Sequence, residues 1–182
     1  MKSPDFSLWK STLLNHFRNN LEEFATTTEN KEVYAVILDC HATYGSVNMK
    51  WNTVDSFKKY VEKYYSSYTS HELLGSRGVE YNVGDFSYED SKQPEEINKF
   101  EHLYETILSK YIDREDEESS NELTQKFINT LVEIINELTP TFSRLNKTDN
   151  FISFVVEHDS DYYEYINRNV TLEDYYKAFP EV

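Results

Sequence analysis

Apolar residues recur along this chain with two periods. Phe6, Trp9, Leu13, Phe17, Leu21 and Phe24 fall three or four residues apart, which lines one face of a helix over roughly 5–26. Ser3-Pro4-Asp5 supplies the cap and first turn. The run from Val33 to Leu38 is almost continuously apolar and rich in β-branched residues, and predicts a strand buried on both faces. After the turn signal Ala42-Thr43-Tyr44-Gly45, the segment from Ser46 to Trp51 alternates, with Val47, Met49 and Trp51 on one side. It predicts a half-exposed strand antiparallel to the first. Asn52-Thr53 caps a helix running from about Val54 to Tyr68.

The second half repeats both periods. Val79, Tyr81 and Val83 alternate with Glu80 and Asn82 and predict a third strand, which Gly84-Asp85 bends before Phe86 and Tyr88. Ser91 to Pro94 opens a helix with Ile97, Phe100, Tyr104, Ile107, Leu108 and Tyr111 on its face. Leu123, Phe127, Leu131, Ile134, Ile135 and Leu138 mark another, ending before Pro140. Phe151 to Val156 reads as a fourth strand, and two short helical stretches follow, around Tyr162–Ile166 and Leu172–Tyr176. The order is α-β-β-α-β-α-α-β-α. It predicts an α+β fold in which a small, mainly antiparallel sheet of about four strands packs against several long helices. No repeat and no second core is visible, so residues 1–182 are expected to form one domain.

Charge changes the picture more than composition does. The chain carries 33 Asp and Glu against 18 Lys and Arg, a net charge of -15. Residues 92–182 hold 20 acidic and 9 basic residues, residues 1–91 only 13 and 9, so the acidity sits mainly in the second half. Nucleic acid and anionic membrane are disfavoured as partners, since both carry charge of the same sign; a basic protein is favoured. With 15 Tyr and 11 Phe the chain still has enough ring area for a core, although its hydrophobic share is 38%. The lone Cys40 excludes an intramolecular disulfide and fits a reducing compartment. No signal peptide or membrane span is visible, and the expected location is the cytoplasm.

Candidate chemistry is sparse. Cys40-His41 has the residue types of a thiol protease, but neighbours on a strand point to opposite faces and do not pair. Glu157-His158-Asp159-Ser160-Asp161 gathers carboxylates and an imidazole after the last strand. It lacks helical His spacing and the calcium-loop glycine, so no metal or cofactor is assigned. Phosphate-binding and nucleophile-elbow glycine motifs are missing. The run Asp113, Glu115, Asp116, Glu117 and Glu118 reads as a solvated loop or as a steering patch for a basic partner. Asp159, Asp161, Tyr162 and Tyr163 extend that candidate interface, because tyrosine is enriched at protein interfaces.

Three blocks together resemble a bacterial family catalogued as domain of unknown function 4303. They are Glu32 to Leu38 continuing through Tyr44-Gly45 to Asn52-Thr53, then Glu80 to Tyr88, then Val155 to Asp161 with its Asp-Ser-Asp turn. Family members tend to carry an Arg-Trp pair at the start of the middle block and a Trp near its end; Glu80, Tyr81 and Phe86 stand here. The resemblance implies a compact α+β cytoplasmic domain without assigned chemistry, and, by association with toxin genes, a toxin-neutralising role. The expectation is therefore a non-enzymatic immunity-type protein that binds a basic, nuclease-type toxin. The alternatives are a small metal-dependent hydrolase built around His158, Asp159 and Asp161, and a scaffold protein.

Overall fold

The computed structural model describes residues 3–74 and 79–158. Helix α1 (Phe6–Phe24) leads into strands β1 (Val33–His41) and β2 (Ser46–Thr53), then α2 (Val54–Tyr64) and the single turn α3 (Ser70–Leu73). Two 3-10 turns, Val79–Tyr81 and Val83–Asp85, precede the two-residue strand β3 (Tyr88–Glu89). Helices α4 (Glu95–Ile112), α5 (Glu117–Glu137) and α6 (Thr139–Phe142) follow, and β4 (Lys147–Glu157) closes the order. The fold is α+β, with a four-stranded sheet ordered β3-β2-β1-β4. Strands β1 and β2, and β2 and β3, pair antiparallel; β1 and β4 pair parallel, as a long helical crossover allows.

Local chemistry explains the helix starts. Asp5 caps α1 by accepting from the Leu8 N–H at 3.0 Å, and Thr53 caps α2 by accepting from Ser56 at 3.2 Å. Pro140 stands in the first turn of α6, where its missing N–H costs nothing. Helices α1, α4 and α5 cover one face of the sheet. There Val36, Leu38 and Cys40 of β1 and Val47, Met49 and Trp51 of β2 meet Trp9, Phe17, Phe100, Tyr104 and Phe127. The Trp9 ring lies flat on Phe100, with centroids 4.2 Å apart. On the opposite face Ala35, Ile37, Ile152, Phe154 and Val156 pack with Tyr34, Tyr81 and Val83, and with Phe57 of α2.

Three sequence expectations are corrected. Residues 79–88 do not form a long third strand; only Tyr88 and Glu89 pair, with Trp51 and Lys50. Asn82 accepts from the Gly84 N–H, and this turn chemistry overrides the alternation, while Tyr81 and Val83 are still buried, through successive 3-10 turns. Helix α2 stops at Tyr64, because Tyr65 leaves helical geometry. The acid run is not wholly a loop: α5 begins at Glu117, six residues before Leu123. Residues 75–78 and the two expected C-terminal helical stretches lie outside the described residues.

Candidate functional site

The most chemically loaded group in the described residues stands where β1 and β4 end side by side. Asp39 follows a strand interior that is apolar throughout, and it is 2% exposed. A carboxylate buried this deeply needs partners. It has two: Lys50 of β2 places Nζ 3.0 Å from Oδ2, and His158 places Nδ1 3.0 Å from Oδ1 and 3.1 Å from Oδ2.

Strand register creates this group. Asp39 pairs with Asn48 and Ile37 with Lys50, so Lys50 is the diagonal neighbour of Asp39 on one face. In the parallel ladder Cys40 pairs with Glu157, and the His158 N–H donates to the Cys40 carbonyl at 2.9 Å. His41 therefore lies beside His158, with ring centroids 4.3 Å apart and planes inclined by 38°. His158 is exposed and His41 half-buried. Tyr44, 55% exposed, completes the rim 6.1 Å from the His41 ring.

The turn that carries this rim is tightly held. Tyr104 donates to the Ala42 carbonyl at 2.9 Å, and the Ala42 N–H donates to Glu157 at 2.8 Å. Gly45 has φ 71°, and a Cβ there would stand 2.5 Å from the Tyr104 ring, so only glycine fits. Burial pushes the Tyr104 hydroxyl up to about 12.

Cys40 faces the other way, into the helix-covered core. Burial, followed by the charges of Glu157 and Asp39, pushes its thiol far above the ordinary range. It is a structural thiol and does not pair with His41. A second imidazole–carboxylate pair, His16 with Asp90 at 2.9 Å, is architectural. Asp90 also accepts from the Met49 N–H at 2.7 Å and from Gln93 at 3.1 Å, which ties α1, β2 and the entry to α4 together. Burial raises the Asp90 carboxyl against these hydrogen bonds, which lower it.

The acid run occupies the α4–α5 connection. Asp113, Glu115, Glu117 and Glu118 are exposed, and Asp116 is half-buried. Asp116 caps α5 by accepting from the Ser119 N–H at 3.1 Å, and Glu117 and Glu118 sit in the first turn, where the helix dipole favours negative charge. Glu115 takes a left-handed φ of 57°. Three of the five acids thus help to start a helix, and all five lie between the end of α4 and the first turn of α5, next to Ile112, which is 58% exposed. Asp159, Asp161, Tyr162 and Tyr163 lie outside the described residues.

A further concentration of tyrosine, in α2 and the turns after it, surrounds Asp85, which accepts from Tyr60 at 2.7 Å, Tyr65 at 3.2 Å and Asn82 at 2.8 Å. The bond to Asp85 pushes the Tyr60 hydroxyl up to about 12. Among the described residues no three His, Cys, Asp or Glu side chains converge on a cation site. No described helix is long and apolar enough to cross a membrane.

Sequence reasoning singled out Cys40-His41 and His158 separately and missed Asp39 and Lys50. The available signal was an aspartate directly after a fully apolar strand, which demands a counterion on the same face. No curated protein and no solved structure matches the chain. Residues 13–173 match the model of a domain of unknown function, DUF4303, so the chain belongs to that family over most of its length.

Proposed function

We propose that this domain is a non-enzymatic, cytoplasmic protein-binding module of bacterial immunity type, which neutralises a basic, nuclease-type toxin. The observation that carries this reading is the net charge of -15, with its acidity weighted to the second half of the chain. The exposed acids at 113, 115, 117 and 118 stand together between the end of α4 and the first turn of α5, and that arrangement steers a positively charged partner and raises its association rate. Acidic groups presented in this way compete with nucleic acid for a basic nuclease surface. The buried state of Cys40 supports binding over thiol chemistry.

The test is co-expression with a panel of basic, nuclease-type toxin domains, followed by stopped-flow association of this protein with any toxin it neutralises. Growth rescue and an on-rate that falls steeply with salt are expected. Reversing Asp113, Glu115, Glu117 and Glu118 to Lys should slow association by about tenfold or more and flatten its salt dependence. An unchanged on-rate removes the acid run from the interface, and failure of rescue by the parent protein removes the immunity reading.

One observation favours a second reading, a small metal-dependent hydrolase at the end of β4: His158 is oriented by a buried carboxylate and its ring is exposed. Turnover of activated phosphate or carboxylate esters that appears only with added zinc or manganese, and is lost in His158→Ala, would favour it.

A further inference from the structure

We propose that His41 and His158 form a binding site for one borderline-soft divalent transition cation of the zinc and nickel class, with Asp39 as the positioning residue. The inference concerns binding alone, and it stands apart from the toxin-neutralising reading.

Asp39 anchors the site. Lys50 already supplies its countercharge at 3.0 Å, so what His158 contributes is a hydrogen bond from Nδ1. A donating Nδ1–H leaves the imidazole lone pair on Nε2. A carboxylate that holds one ring nitrogen while the other is directed outward is the arrangement that orients metal-ligating histidines and raises their basicity. The His158 side chain is 40% exposed while Asp39 is 3% exposed, so the ring stands between a buried anchor and solvent.

The second ligand comes from the neighbouring strand. The backbone bond from the His158 N–H to the Cys40 carbonyl fixes the two chain segments relative to one another. The imidazoles lie 4.3 Å apart between centroids and are inclined by 38°. Two nitrogens bound at about 2.05 Å with a tetrahedral angle are about 3.3 Å apart, a separation that the His41 ring reaches by turning about its own side-chain bonds while Asp39 keeps His158 in place. The site is selective by its donors. The oxygens of Asp39 are engaged by Lys50 and His158, so calcium and magnesium lack the carboxylate ligands they require, whereas imidazole suits zinc, nickel and copper. Water completes the coordination of the two-ligand site, and binding is expected in the micromolar range.

The experiment is calorimetric titration of the full chain with zinc chloride, in a buffer free of chelators. One equivalent should bind, calcium and magnesium should give no heat, and His41→Ala and His158→Ala should each weaken zinc binding by about tenfold or more. Asp39→Asn should weaken it by about 10- to 100-fold, the effect of losing an orienting carboxylate. His102→Ala, on the exposed side of α4, should leave it unchanged. Absence of heat in the parent protein at about 1 mM zinc overturns the proposal, as does parent-like affinity in both histidine variants. Because Asp39 is buried and its variant is liable to unfold, the parent protein carries a second readout. Sub-stoichiometric nickel should broaden the imidazole NMR signals of His41 and His158 before those of His16 and His102, and the reverse order overturns the assignment.

Discussion

The two faces of the sheet use the same strands and are finished in different ways. Toward α1, α4 and α5, β1 presents Val36, Leu38 and Cys40, and the space is filled by rings: Trp9 on Phe100 at 4.2 Å and on Phe127 at 5.2 Å. Toward the opposite side, β1 presents Ala35 and Ile37 and then Asp39 and His41, so an apolar cluster gives way to an ionic one within two residues. The closed face is held by dispersion and by removal of apolar area from water, which do not depend on direction. The polar end is held by a few directed contacts around one carboxylate, each of which matters if its partner is removed. One face therefore tolerates variation in detail but not in volume; the other tolerates little change in partner identity.

Four measurements break or sharpen this contrast. Trp9→Ala removes the ring at the centre of the closed face and should cost about 4 kcal/mol, read as a fall in the urea midpoint at constant slope. A loss below about 1 kcal/mol would move the centre of that core elsewhere. Asp39→Ala leaves Lys50 with a missing counterion and should cost about 3 kcal/mol, whereas the double variant Asp39→Leu, Lys50→Met should recover most of that. If the double variant is as unstable as the single one, the polar end is held by His158 and not by the ion pair.

Gly45→Ala places a methyl group against Tyr104 at a left-handed position and should cost about 2 kcal/mol, measured by thermal unfolding. The smallest effect concerns an ionisable group in the helical layer. Burial pushes the half-buried Glu101 carboxyl up from 4.5 to about 7. A raised folded value means that the folded chain binds this proton more firmly than the unfolded chain. The contribution of Glu101 to stability is therefore full below pH 4.5 and declines as pH rises through about 7. Glu101→Gln should match the parent protein near pH 4 and exceed it by about 1 kcal/mol near pH 8, a figure discounted for partial exposure. An equal gain at both pH values would contradict the titration as the cause.

The periodic elements were legible in the sequence because their signals are local. Helix α1 ends within two residues of the limits expected from Phe6 through Phe24, and the alternation of Val47, Met49 and Trp51 correctly marked the buried side of β2. Residues 79–88 were misread because alternation is also satisfied by consecutive 3-10 turns, and Asn82 and Gly84 decide between them. The acid run was legible as charge but not as architecture: the capping bond from Ser119 to Asp116 depends on where α5 starts, and the apolar stripe begins later. The Tyr-rich end of the candidate interface rests on sequence alone.

The sequence by itself determined the fold class, the helix faces, the buried strand and the sign of the protein's charge, since periodicity and composition are properties of neighbouring residues. Only the tertiary structure decided that Asp39, Lys50, His41 and His158 meet. These residues come from β1, β2 and the residue directly after β4, the last more than 100 positions away in the chain. Their meeting depends on strand order, on the parallel pairing of β1 with β4 and on a register that a one-residue shift would turn to the other face.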